Sequence, residues 1–149
     1  MAGSNGMTPR QRIDAECGRR GRPALVAGCI ALLEGQEVDD GLVLALGGTP
    51  AKYVLSGHEG GKDGYWPRVW AARGLLHAWD HRATAAIIQA AADDAWRVRE
   101  MAAKVVARHW IDDALSAMAD LQNDETPRVR SAAARAIAAL AAGSSPDPS

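Results

Sequence analysis

Residues 65–76 read YWPRVWAARGLL, residues 96–107 read WRVREMAAKVVA, and residues 127–138 read PRVRSAAARAIA. One step of 31 residues relates the small pairs Ala71–Ala72, Ala102–Ala103 and Ala133–Ala134, the cations Arg68, Arg99 and Arg130, and the cations Arg73, Lys104 and Arg135. Counting from Val98, apolar residues recur at Met101, Ala102, Val105 and Val106, and from Val129 at Ala132, Ala133, Ala136 and Ile137. That spacing is one face of an α-helix. A helix whose line is rewritten at a fixed step needs an equivalent neighbour to bury that face, which is the logic of a repeat architecture.

The segments between these lines repeat as well. Ala86, Ile87, Ala90, Asp93 and Asp94 match Ala117, Met118, Leu121, Asp124 and Glu125 at the same step. Each unit is therefore a shorter A helix, an acidic turn and a longer B helix, with helices expected at about 67–79, 83–92, 96–109, 113–122 and 127–141. Upstream, TPRQ offers Thr8 as a cap, Pro9 at the first helical position and Gln11 to complete a capping box. Gly18 is the expected stop of that first helix. ALVAGCIALLEG reads as a helix ended by Gly35, and DDGLVLALGG as a short helix capped by Asp39. Setting VDDGLVLAL from Val38 against IDDALSAMA from Ile111 makes the Asp39 helix the A partner of the helix at Pro67. Residues 48–65, with the glycine-rich GHEGGKDG, then form an insertion on one edge. The domain is expected over 8–142, between mobile ends at 1–7 and 143–149.

The composition suits one soluble folded unit: 149 residues, 48% hydrophobic and 23% charged, with no Phe, five Trp and a net charge of −1. So balanced a charge excludes a strong overall field for a polyanion, and any anion site must be a local patch. Cys17 and Cys29 make neither a metal cluster nor a disulfide framework. No run approaches the roughly 20 apolar residues of a membrane span, and MAGSNGMTPRQR lacks the apolar core of a secretion signal. The expectation is a cytoplasmic protein without membrane partners.

The line D-x-x-x-R-V-R-x-x-A-A resembles the HEAT repeat, as in the HEAT-like repeats of bilin lyase-type proteins, best over Asp94–Val106 and Asp124–Ile137. The likeness covers about 66–141 well and 23–56 by analogy. It implies an all-α, right-handed α-solenoid of HEAT-like helix pairs. It also implies an intramolecular ladder between turn aspartates and B-helix arginines, here Asp93 or Asp94 with Arg99 and Asp124 with Arg130.

Arg73, Lys104 and Arg135 differ from the ladder arginines. Helical geometry points them away from the apolar stripe, together with Arg97, Arg108 and Arg128. They form a basic strip on the B helices, which is either a solvated face or the receiver of an acidic protein partner. Trp79 and Trp110, one repeat apart, read as inter-repeat packing, whereas Tyr53 and Trp66 flank the insertion and are the better contact anchors. His77 and His81 have the i, i+4 spacing of a zinc pair, but the sequence places no third ligand, and no metal or other cofactor is assigned. Neither serine nor cysteine sits in a nucleophile motif, so no catalytic residue is assigned. Three function classes stand: a non-catalytic protein-interaction module, which leads; an anion or nucleic-acid binder using the strip; and a lyase or cofactor-handling role like that of some HEAT-like relatives.

Overall fold

A computed structural model describes residues 6–143; residues 1–5 and 144–149, most of the two ends expected to be mobile, lie outside the described residues. The described residues form nine α-helices and no strand. They are α1 (Pro9–Arg20), α2 (Arg22–Leu33), α3 (Asp40–Gly47), α4 (Thr49–Leu55), α5 (Trp66–His77), α6 (Thr84–Ala90), α7 (Trp96–His109), α8 (Leu115–Leu121) and α9 (Pro127–Gly143). Short 3-10 turns precede α5, α6 and α8.

The three repeated lines are α5, α7 and α9, which pack side by side in chain order. α6 covers α7 and α8 covers α9. The stripe predicted from Val98 is buried as Val98, Ala102, Val105 and Val106, and the next as Val129, Ala132, Ala133 and Ala136. Met101 and Ile137 are half-buried at its margins. Alanines at the contact let the helix axes approach closely, and α7 and α9 share the most extensive helix–helix contact among the described residues.

The aspartate–arginine ladder runs between units. Arg99 donates from Nε and Nη2 to the two carboxylate oxygens of Asp124, at 2.8 and 3.3 Å, and Arg68 grips Asp93 in the same way at 2.7 and 3.2 Å. Each arginine thus reaches forward to the turn of the following unit. The third guanidinium nitrogen stays at home: Arg99 Nη1 donates to the Asp93 and Asp94 carbonyls at 2.7 and 3.0 Å, and Arg130 Nη1 to the Asp124 carbonyl at 2.7 Å. Asp93 and Asp124 also accept the backbone N–H two residues on, from Ala95 and Thr126, both at 2.9 Å. One carboxylate therefore shapes its own turn and ties it to the preceding B helix. The pairing of Arg99 with Asp93 or Asp94, and of Arg130 with Asp124, is corrected accordingly. The side chain of Asp94 is exposed and contributes only its carbonyl, and Arg130 meets only the Asp124 carbonyl.

The N-terminal half departs further from the sequence reading. α1 runs through Gly18 to Arg20, and the chain turns instead at Gly21, whose φ of 89° suits glycine. Arg20 holds Glu16 on its own helix at 2.6 Å and Asp39 at 3.0 Å, pinning the end of α1 to the start of α3. α2, rather than α3, lies along α5 most extensively, while α3 sits among α1, α4 and α5. The matched Asp pairs fold differently: Asp39 caps α3 through the Leu42 N–H at 2.8 Å, whereas Asp112–Ala114 make a 3-10 turn before α8. Shared capping letters had suggested a shared place in the repeat. Met7, expected in a mobile end, accepts from Arg12 Nη1 at 3.0 Å.

Candidate functional site

An open cavity of about 880 Å³ lies where α1, α4 and α5 converge. Its floor is Trp70, buried with its indole flat against Gly47, where a Cβ would stand only 2.6 Å from the ring. Trp66 stacks beside it, centroids 6.2 Å apart and planes 25° from parallel. Tyr53, on α4, forms another wall; it is 56% exposed, and His58 stacks on it at 3.9 Å.

Two arginines share this cavity. Arg12 donates to the Ala45 and Met7 carbonyls at 3.1 and 3.0 Å, and its guanidinium lies against Gly48, where any Cβ would approach it to 2.7 Å. Gly48 also takes a φ of 70°, a left-handed backbone conformation that favours glycine. Arg73 donates from Nη2 to the Leu46 carbonyl at 2.8 Å, while its Nε is buried without an acceptor. Burial pulls the Arg73 value below the usual arginine range, and the positive charge of Arg12 adds to the effect; burial alone lowers Arg12. Neither forms an ion pair among the described residues.

Arg73 is thereby corrected from a solvent-facing strip residue to a cavity residue. The register is that of Lys104 and Arg135, but in the first unit α1, α3 and α4 cover the position that the later units leave open to water. Tyr53, Trp66 and Arg73, proposed from sequence for different reasons, thus line one cavity. Arg12 and Trp70 also line it; Trp70 shares the apolar-stripe register of Met101 and Ala132, whereas Arg12 carried no signal in the repeat pattern.

Two strip arginines, Arg97 and Arg128, form a second feature at the starts of α5, α7 and α9. The Arg97 guanidinium lies 4.5 Å from the ring centre of Trp96 and 5.4 Å from that of Trp66, and Arg128 lies 5.2 Å from Trp96. Rings and cations therefore alternate as Trp66, Arg97, Trp96 and Arg128. Glu100, buried beneath them, takes a hydrogen bond from Arg128 at 3.0 Å and an ion pair from Lys104 at 3.8 Å. Arg108 and Arg135 are exposed. A family model for the HEAT repeat matches residues 114–144. The chain carries a HEAT repeat. The matched segment holds α8 and α9, the last A and B helices, so the HEAT line PRVRSAAARAIA is the one that supplies Arg128 to the stack. No curated protein and no solved structure matches the chain.

The histidine pair and Trp110 are placed differently from expectation, whereas Trp79 packs between units as expected. α5 ends at His77, with Ala78 already extended, so His81 lies in the 3-10 turn beyond and the helical i, i+4 relation to His77 does not form. Trp79 is half-buried and stacks on His109 at 4.9 Å, while His109 Nε2 sits 2.9 Å from the Leu75 carbonyl oxygen. Trp110, by contrast, is 62% exposed rather than packed between repeats. α7 continues to His109, and Trp110 caps it in the left-handed region at φ 53°, which turns the indole outward against Gly143.

Proposed function

We propose that this chain is a non-catalytic protein-interaction module of the HEAT type, a right-handed α-solenoid whose B-helix face takes an acidic segment of a partner protein. The observation that carries the reading is the alternating stack of Trp66, Arg97, Trp96 and Arg128. Guanidinium groups held over indoles are pre-organised, so less side-chain entropy is lost when they grip a carboxylate than for free surface arginines. Tryptophan and arginine are also the residue types that most often anchor protein interfaces. The buried Glu100 supports a protein over a nucleic acid, because it neutralises part of the strip and weakens the continuous positive field that a phosphate backbone calls for. No helix among the described residues is long and apolar enough to cross a membrane.

The test compares partner capture by the wild-type chain with that by Arg97→Glu/Arg128→Glu, with circular dichroism to verify that both fold. A partner lost from the double variant, whose interaction weakens with added salt and maps to an acidic segment, supports the reading. Equal capture by both proteins at every salt concentration refutes it.

A further inference from the structure

The cavity beside α1, α4 and α5 poses a separate question, because its two arginines hold backbone carbonyls but have no carboxylate partner among the described residues. Arginine keeps its charge in proteins, and a guanidinium removed from water without a counter-ion is costly. Here two half-buried arginines are brought close enough for one to depress the other, and Arg73 has a buried Nε with no acceptor. Glu59 also lines the cavity, but its residue is exposed and its carboxylate pairs with neither arginine among the described residues. Elsewhere the same chain partners its sheltered arginines: Arg68 and Arg99 each receive a two-point carboxylate. Around the two cavity arginines stand Trp66, Trp70 and Tyr53, and the volume of about 880 Å³ is that of a small-molecule site.

We propose that this cavity binds an organic anion, with a planar apolar body against Trp66, Trp70 and Tyr53 and an oxyanion head against Arg12 and Arg73. The head supplies the counter-charge that the protein withholds. Arg73 Nη1 and Arg12 Nη2, which have no acceptor among the described residues, are the donors available to it. Flat aromatic walls supply the apolar contact, and the backbone carbonyls of Ala45, Met7 and Leu46 fix the two forks in place beforehand. This inference stands apart from the partner-binding face, with which it shares only Trp66.

Isothermal titration with 2-naphthoate, 2-naphthyl phosphate and the neutral 2-naphthamide tests it. All three have the same body, and the two anions separate a carboxylate head from a phosphate head. One-to-one binding of at least one anion, about tenfold or more tighter than the amide, is expected. Arg12→Gln and Arg73→Lys should each weaken the anions selectively, Trp66→Ala should weaken all three ligands, and Arg135→Gln should change nothing. Because Arg12 and Arg73 also hold backbone carbonyls, the decisive readout uses the unaltered protein: anion addition should move the indole N–H resonances of Trp66 and Trp70 and leave those of Trp79 and Trp110 in place. Equal affinity for anion and amide, absence of anion binding up to about 5 mM, or shifts confined to Trp79 and Trp110 overturns the proposal. The Arg97→Glu/Arg128→Glu variant should still bind the anion, which separates failure of this site from failure of the partner-binding face.

Discussion

Replacing Arg99 with Met keeps most of the aliphatic stem and removes the fork that joins two units. The side chains of Arg99 and Asp124 are 12% and 9% exposed, so their two-point contact is sheltered from water. Breaking a pair of this kind by deleting one partner costs roughly 3 to 5 kcal/mol when burial is complete. Asp124 keeps its bond from the Thr126 N–H, and the pair retains some exposure, so we work with a loss of about 3 kcal/mol. For a chain of this size that is a fall in Tm of about 6–12 °C. Burial raises the Asp124 carboxyl, but the Arg99 hydrogen bond and the Thr126 N–H outweigh it, and the group lies below the usual carboxylate range in the folded protein. A depressed carboxyl contributes stability that is present above its unfolded value, about 3.9, and is lost as pH falls through the folded value. Urea unfolding of wild type, Arg99→Met, Asp124→Asn and the double variant at pH 7 and again below pH 4 is the assay. The gap between wild type and Asp124→Asn should narrow in acid, and the double variant should lose less than the sum of the singles. A loss below about 0.5 kcal/mol for Arg99→Met at pH 7 would show that the pair does not hold the stack together.

Arg130→Ala should be much milder, below about 1 kcal/mol by thermal denaturation, because Arg130 is exposed and makes only the Asp124 carbonyl bond. Ala103 is fully buried on α7 between α5 and α9, so Ala103→Leu should overfill the contact and cost roughly 1 to 3 kcal/mol, read from the same melting curves. Cys29 is buried and its thiol is pushed up to about 12 by burial, with the Cys17 charge adding to the rise. Disulfide-exchange reagents at pH 8 should leave it unmodified in the native protein, react slowly at Cys17, and titrate both in urea.

The helical repeat was legible because the features that build it are local. Apolar spacing, alanine pairs and acidic turns each lie within one unit, and α5, α7 and α9 fall where the three matched lines place them. The ladder was legible in its residue types and not in its pairing. Arg68 to Asp93 and Arg99 to Asp124 depend on how far one unit is displaced from the next, which is a property of the packing between helices rather than of any single helix. Trp66, Arg97 and Arg128 share a register one step of 31 apart, and the ring at Trp96 precedes a cation, so the indole–guanidinium stack could have been read from the same alignment. Arg73 could not. Its register matches that of the exposed Arg135, and only the non-repeating α1, α3 and α4 convert the position into a cavity wall. Helix ends misled where a glycine or tryptophan stood near a stop: Gly18 is helical, and Trp110 takes the left-handed cap usually reserved for glycine.

The most direct test of the interaction reading is amide hydrogen exchange on the chain alone and in complex with its captured partner. Protection on binding should concentrate at the starts of α5, α7 and α9, around Trp66, Arg97 and Arg128, where the indole–guanidinium stack runs. Protection confined to α6 and α8, with those three helix starts unchanged, would contradict it.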